Sequence, residues 1–474
     1  MDIVLLALVL IVGFYMLWNI GANDVANAVG TSVGSGAVTI KEALIIAAVL
    51  EFSGALILGS NVSETIQSGI INPSHFTETP MVFALGMLSA LLATALWLQA
   101  ATFFKWPVST THAIIGALVG FGIVAAGVDA IEWRVVGTIV MSWLLSPSIS
   151  ALLAYFIFLF IQKKILFAYS PLLATRRIAP LLTFIVLVTF TTSVLANGIH
   201  NLRFSLNLYQ TILVAIGVGL VGTCISLFFH KKIHVDAKGN KVIAVKQEQQ
   251  LYNLHKAHRY LLETKLASQG KMSLQLGDML TTVSDLIENV KDKTRWESHL
   301  SADYVAVEKI FAGLQVLTAC FVAFAHGAND VANAVGPVSA IWQIISHPTS
   351  IALKTNIPIW LLAFGGFGIV FGLATYGWRV IDTIGKQITQ LTPTRGFAAE
   401  FAAASTILVA SKLGLPISTT HAIVGAVIGV GLARGFSALN FGLIGNIFLS
   451  WIITIPSAAI SSILIFYLLK LFFI

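Results

Sequence analysis

Apolar residues along this chain fall in unbroken stretches of about 18 residues or more, with polar residues gathered between them and not alternating with them. Runs of that length match the rise of a helix across a bilayer core, so each predicts a spanning helix. About a dozen can be read, near 3–20, 41–61, 81–104, 107–128, 133–161, 178–198 and 209–229, then, after a polar gap, near 305–326, 358–380, 396–414, 415–433 and 438–470. The first run lacks a basic leader and a small-residue cleavage pattern and leads straight into a polar motif, so it reads as a spanning helix and not as a secretory signal. The pattern therefore predicts an all-α polytopic membrane protein with about 12 membrane segments.

The order of the polar motifs adds a second level of organisation. The decade Gly21–Gly30, GANDVANAVG, recurs without change at Gly327–Gly336, and PVSTTHAIIGALVG from Pro107 returns as PISTTHAIVGAVIG from Pro416. Two long matches in one order indicate a duplicated unit. An odd number of predicted spans separates the copies, so they face opposite ways and form inverted-topology repeats. The expected divisions are a first membrane repeat over 1–161, connecting transmembrane helices over 162–230, a polar loop over 231–304 and a second membrane repeat over 305–474.

Composition agrees with the pattern: 57% of residues are hydrophobic and 10% charged, with a mean hydropathy of +0.88, against roughly 25% charged in a soluble domain. The net charge of +7 and pI near 9.3 do not indicate nucleic acid, because twelve of the 28 Lys and Arg lie within 231–304, interleaved with nine Asp and Glu. Placing that stretch in the cytoplasm puts every Lys and Arg there except Arg134, Arg203, Lys354, Lys412 and Lys470. This is a clear positive-inside bias, and it sets both termini outside the cytoplasm, in a multi-pass protein of a plasma or inner membrane. Cys224 and Cys320 lie in apolar runs without metal-like spacing and read as packing residues.

The candidate chemistry sits in the repeated motifs. Asn23, Asp24 and Asn27, with Asn329, Asp330 and Asn333, lie among Gly and Ala at the ends of apolar runs, a composition poor for continuous helix. An Asp at membrane depth is costly and irregular backbone is tolerated there only where it lines a cavity, so the two together predict a cation site. Carboxylate, amide and freed carbonyl oxygens suit a hard cation; Asp24 and Asp330 would hold sodium, with a proton as the other candidate coupling ion. Ser109, Thr110, Thr111 and His112, and Ser418, Thr419, Thr420 and His421, each follow a proline, as at the first turn of a helix. Such a turn offers N–H groups, a positive dipole end and hydroxyls to a tetrahedral oxyanion. If these turns meet the Asp motifs at mid-membrane, residues near 91–128 and 400–433 form re-entrant hairpins. Glu51 and Glu400 break the symmetry, facing Ile369 and Leu91 in the aligned halves, and each is a candidate carrier of a proton or sodium. His326 replaces Ile20 of the first copy and reads either as a proton-sensitive ligand of the anion or as a structural histidine.

On GANDVANAVG twice and PxSTTH twice, the chain resembles the inorganic phosphate transporter family, of the PiT or solute-carrier-20 type. The resemblance implies inverted repeats, a homodimer, and symport of inorganic phosphate with sodium or protons. It also implies Asp24, Asp330 and the STTH residues at the site, with Glu51, Glu400 and His326 at positions implicated in transport. Some members of the family carry sulfate, so a sulfate or other oxyanion permease is the second reading. An enzyme is disfavoured because no GxSxG elbow accompanies the Ser, His and Asp residues, and an ATP-driven pump because no phosphate-binding loop of the GxxxxGK[ST] type occurs. No cofactor beyond the coupling ion is expected. A passive anion channel would not place acids beside its anion path.

Overall fold

A computed structural model describes residues 2–104, 106, 108–196, 206–232, 241–268, 270–346, 357–378, 391–435 and 438–474. Lys105, Pro107, Arg203, Lys354, Arg379 and Lys386, used in the sequence reading, lie outside the described residues. The chain is helical throughout these segments. In the first half come α1 (Asp2–Gly34), α2 (Ile40–Glu64, continued by a π-turn Thr65–Gly69), α3 (Pro80–Phe103), α4 (Thr110–Ala126) and α5 (Trp133–Ile161). Then follow α6 (Pro171–Leu195), α7 (Leu208–Lys232), α8 (Lys241–Leu266) and α9 (Lys271–Asp330). The second half closes with α10 (Ala332–Ser346), α11 (Ile359–Tyr376), α12 (Pro393–Lys412), α13 (Thr419–Arg434) and α14 (Phe441–Phe473).

Nine helices among the described residues are long and apolar enough to cross a membrane, one of them the continuous stretch Asp303–Ser346. The expected spans near 107–128 and 415–433 are not full-length. They are α4 and α13, of 17 and 16 residues, about 25 Å at ~1.5 Å per residue against a hydrocarbon core of ~30 Å. Both are shortened because extended chain leads into a serine cap, Ser109 (φ −91°, ψ 114°) and Ser418 (φ −86°, ψ 111°), whose side chains accept the backbone N–H of His112 and His421. Pro416 therefore lies ahead of its cap and not in the first turn. The run near 396–414 is α12, which is not among the nine.

The stretch 231–304, expected as a loop, is helical over α8 and the first part of α9. Its charges sit at helical spacing, as in the exposed Arg259–Glu263 pair (3.0 Å, i,i+4), which contributes a few tenths of a kcal/mol. The sequence composition there had no apolar run to reveal the helix.

Glycines also set close crossings between the two halves of the chain, helix backbone against helix backbone. A Cβ on Gly21 would meet the backbone of Ile369, on Gly372 that of Trp18, on Gly54 that of Phe324, and on Gly327 that of Glu51. The crossings α1 with α11 and α2 with α9 are therefore backbone to backbone, the close approach that small residues permit in membranes. In the same way Gly116 and Gly120 of α4 rest on Ile455 and Ala459 of α14, and Gly425 and Gly429 of α13 on Pro147 and Ala151 of α5. The two sequence repeats interlock. Meanwhile α5, α7 and α14 leave long apolar faces exposed, among them Leu144, Leu152, Leu220, Phe228, Ile452 and Leu464, as a lipid-facing surface requires. Cys224 is exposed and Cys320 half-buried, both as free thiols.

Candidate functional site

The first Asp motif lies within an unbroken α1, and the second within the stretch Asp303–Ser346, where only Val331 separates α9 from α10 and keeps right-handed helical angles (φ −56°, ψ −31°). The expected irregular backbone is thus absent from the first copy. Alanine is the best helix former, and Gly21 is placed where α1 crosses the α11 backbone, so the glycine serves packing and not unwinding.

Asn23, Asp24, Asn27, Asn329, Asp330 and Asn333 are all buried, as are Ser109 to His112 and Ser418 to His421. The structure brings these groups together in matched pairs. Thr110 Oγ1 donates to Asp24 Oδ2, and Thr419 Oγ1 donates to Asp330 Oδ2 at 2.7 Å. Asn27 Nδ2 donates to Thr420 Oγ1 (2.8 Å) and Asn333 Nδ2 to Thr111 Oγ1 (3.5 Å), so each Asn reaches into the opposite half. Thr111 Oγ1 donates to Ile417 O (2.9 Å) and Thr420 Oγ1 to Val108 O (3.2 Å), tying the two serine-capped turns to each other. Asn23 Nδ2 donates to Thr102 Oγ1 (2.9 Å), and the Asn329 amide meets Ser411 Oγ at 3.0 Å. Thr102 and Ser411 complete the motif, yet no sequence repeat flags them; only their place at the ends of α3 and α12 does.

Between the halves stands His326, with Nε2 2.9 Å from Asp330 Oδ2 and Nδ1 3.3 Å from Glu51 Oε1, all three fully buried. Ligand atoms of Asp24, His326 and Asp330 lie within 4.8 Å of one another. The amide oxygens Oδ1 of Asn23, Asn27 and Asn333 and both oxygens of Glu51 are buried without a hydrogen-bond donor. Orphaned oxygens around paired carboxylates are a donor set that fits a hard cation. No Lys or Arg belongs to the buried set among the described residues, so two helix N-termini and the Ser and Thr hydroxyls are what the site offers an anion.

Glu400 stands apart, about two helical turns along α1 from Asp24. Its Oε1 accepts from Thr31 Oγ1 (2.6 Å), Ser32 Oγ (2.5 Å) and Gln315 Nε2 (3.0 Å), and its Oε2 from Thr318 Oγ1 (2.7 Å). Gln315 and Thr318 carried no signal in the sequence. His112 and His421 pack edge to face at 4.3 Å between ring centroids, each against a tryptophan, Trp143 at 3.9 Å and Trp451 at 3.4 Å. They brace the two capped turns from behind.

Known proteins resemble this chain over most of its length. The model of the phosphate transporter family matches residues 20–462. The chain is 41% identical over 451 residues to "Inorganic phosphate transporter 2-1, chloroplastic" of Arabidopsis thaliana, covering 95% of this chain and 70% of that one. Among solved structures it is similar to "The sodium-dependent phosphate transporter", with a TM-score of 0.79, 34% identity and 99% of each chain covered.

Proposed function

The chain belongs to the phosphate transporter family, and from that we propose that it moves inorganic phosphate in symport with a cation, sodium first, through two inverted repeats. It is a multi-pass membrane transporter of phosphate and not an enzyme. The observation that carries the coupled mechanism is the doubled Asp–Thr contact, Thr110 with Asp24 and Thr419 with Asp330. In each, a hydroxyl at a helix N-terminus touches the carboxylate of a cation motif, so that filling one partner is felt by the other.

Asp24 and Asp330, with the orphaned oxygens of Asn23, Asn27 and Asn333 and the Asn329 beside Asp330, hold the cations. Ser109, Thr110, Thr111, Ser418, Thr419 and Thr420 bind phosphate at the two N-termini. His326 links Asp330 to Glu51, and the hydrogen-bonded Glu400 is a second buried acid through which a proton or sodium can act. The helix pairs α3–α4 and α12–α13 are re-entrant hairpins with their turns at the site, which the short α4 and α13 favour. The homodimer, the plasma or inner membrane location and non-cytoplasmic termini complete the proposal. The charge bias supports the orientation. We expect tags at both termini to be labelled from outside intact cells and a tag within 254–288 to be protected; opposite labelling of the two termini would contradict inverted repeats.

Energetics explain the need for a cation. Each elementary charge moved against 100 mV costs about 2.3 kcal/mol, so a phosphate monoanion entering an inside-negative compartment is opposed by about that amount. Two cations with one monoanion make a net positive cycle that the same potential drives inward. The hydroxyl site is tested by competition. Arsenate, which shares phosphate's tetrahedral size and protonation, should compete more strongly than sulfate for labelled phosphate uptake into proteoliposomes. Thr110→Ala or Thr419→Ala should weaken uptake about tenfold, the effect of losing a hydrogen bond to a charged partner. Sulfate competing better than arsenate would instead favour the oxyanion-permease reading.

A further inference from the structure

A cavity of about 640 Å³ opens at the ends of α2 and α5, between Asn61, Thr65, Ser68, Asn72 and Glu132. One wall is the turn Leu413–Leu415, which joins α12 to the capped start of α13. Behind the turn the chain is part of the site: Ser411, 2% exposed, meets the Asn329 amide, and Ile417 O accepts Thr111 Oγ1. Along the chain, three residues therefore stand between this cavity and the buried polar cluster.

The turn is built to be held lightly. Gly414 has φ +66°, a left-handed conformation that glycine adopts at little cost. Its carbonyl accepts Thr65 Oγ1 at 2.7 Å, tying the turn to α2 across the cavity wall. Thr65 opens the π-turn Thr65–Gly69, a wider coil than the α-helix before it, of a kind found mostly at functional positions. The same π-turn packs on α10, where Gly336 lies against Ile66 and Gln67 Nε2 donates to Ser339 Oγ (3.4 Å), so it also touches the helix that carries Asn333.

We propose that Leu413–Leu415 is the gate between this cavity and the buried site, and that the Thr65–Gly414 hydrogen bond is the latch that holds it shut in this structure. The proposal rests on the transporter reading, since alternating access requires the path from each side to close and open in turn. A ligand can move such an equilibrium only by its differential affinity for the two states. Beside the bonds within its own stretch, from the N–H groups of Leu413, Gly414 and Leu415 to the carbonyls of Val409, Ser411 and Ala410, and the Asn329 Nδ2 contact with Leu415 O at 3.4 Å, the Thr65 bond is what ties this turn to α2, and a tie of that size is within that reach.

The test uses the full chain with Cys224 and Cys320 replaced by Ala, purified and reconstituted, and reads the modification rate of Ser411→Cys by a charged, membrane-impermeant thiosulfonate. Thr65→Val should raise that rate about fivefold, the population change expected from one hydrogen bond of ordinary net strength, while Thr65→Ser, which keeps the hydroxyl, should leave it unchanged. Gly414→Ala should act like Thr65→Val, because it strains a left-handed residue and sets a methyl 3.3 Å from Asn61 O and 3.4 Å from Thr65 Oγ1. Ser68→Cys, on the cavity wall, should react equally in all backgrounds. Equal Ser411→Cys rates in every background, or a matching rise at Ser68→Cys, would overturn the gate. Phosphate uptake by the unsubstituted chain is scored separately, so its failure alongside latch-dependent labelling would sink the substrate reading and leave the gate standing.

Discussion

Asp24→Asn, or Asp330→Asn, is expected to remove cation-driven phosphate uptake while leaving folded protein largely intact. Asp24 accepts from Thr110 Oγ1 and Asn27 Nδ2, and Asp330 accepts from Thr419 Oγ1 with His326 Nε2 beside it, and both lie among buried oxygens that lack donors, so a bound cation is stabilised by the full charge of each. Removing one partner of a buried, charge-compensated pair costs about 3 kcal/mol or more, which is a hundredfold or more in cation affinity. Asn preserves size and can still accept from Thr110 or Thr419, so packing survives. The two variants should differ in detail, because Asp330 also faces His326 at 2.9 Å and Asp24 has no such ion-pair contact. Uptake measured across a wide range of sodium concentration decides the matter: normal transport by both variants would remove the cation role from these residues.

The second large effect concerns the interlocked crossings. Gly54→Ala and Gly327→Ala should each lower the apparent melting temperature in detergent sharply, or abolish monodisperse expression, because the new methyl would meet the backbone of Phe324 or Glu51. Overpacking a tight core costs typically ~1–3 kcal/mol and occasionally more, and backbone cannot escape by changing rotamer as a side chain does. Gly137→Ala and Gly217→Ala, where nothing lies within 4 Å of the added atom, are the matched controls and should melt like the parent chain. If all four variants melt alike, the crossings are looser than the structure has them.

These crossings also mark where the sequence stops being informative. Apolar runs reveal helices, and identical decades reveal a duplication, because both are local or repeated patterns. The partners of Gly21, Gly54, Gly327 and Gly372 all lie in the opposite half, at separations of 270 residues and more, and no periodicity encodes a partner. Asn27 with Thr420 and Asn333 with Thr111 likewise pair across the halves, 393 and 222 residues apart. The Asp and Ser–Thr residues were legible as site candidates because polar groups are rare in apolar runs and here came twice. Thr102, Ser411, Gln315 and Thr318 were not, since a Ser, Thr or Gln inside an apolar helix ordinarily bonds the preceding turn or a neighbouring helix. The continuity of α1 through GANDVANAVG was misread for a related reason. Glycine content predicts a weak helix in isolation, whereas here tertiary packing uses Gly21 to bring two helices together and the segment stays helical. In 231–304, charge without apolar runs gave no sign of the helices that form.

The central claim is that phosphate crosses only together with cations held at the doubled Asp–Thr arrangement. The most direct measurement is uptake of labelled phosphate into proteoliposomes containing the full chain, with sodium and proton gradients imposed or collapsed independently and the membrane potential clamped. The account predicts saturable uptake that requires an inward cation gradient, sodium first, and that rises when the interior is made negative, the sign expected for two cations moving with one monoanion. Phosphate flux that is indifferent to every cation gradient and is slowed by a negative interior would contradict it and describe a passive anion pathway instead.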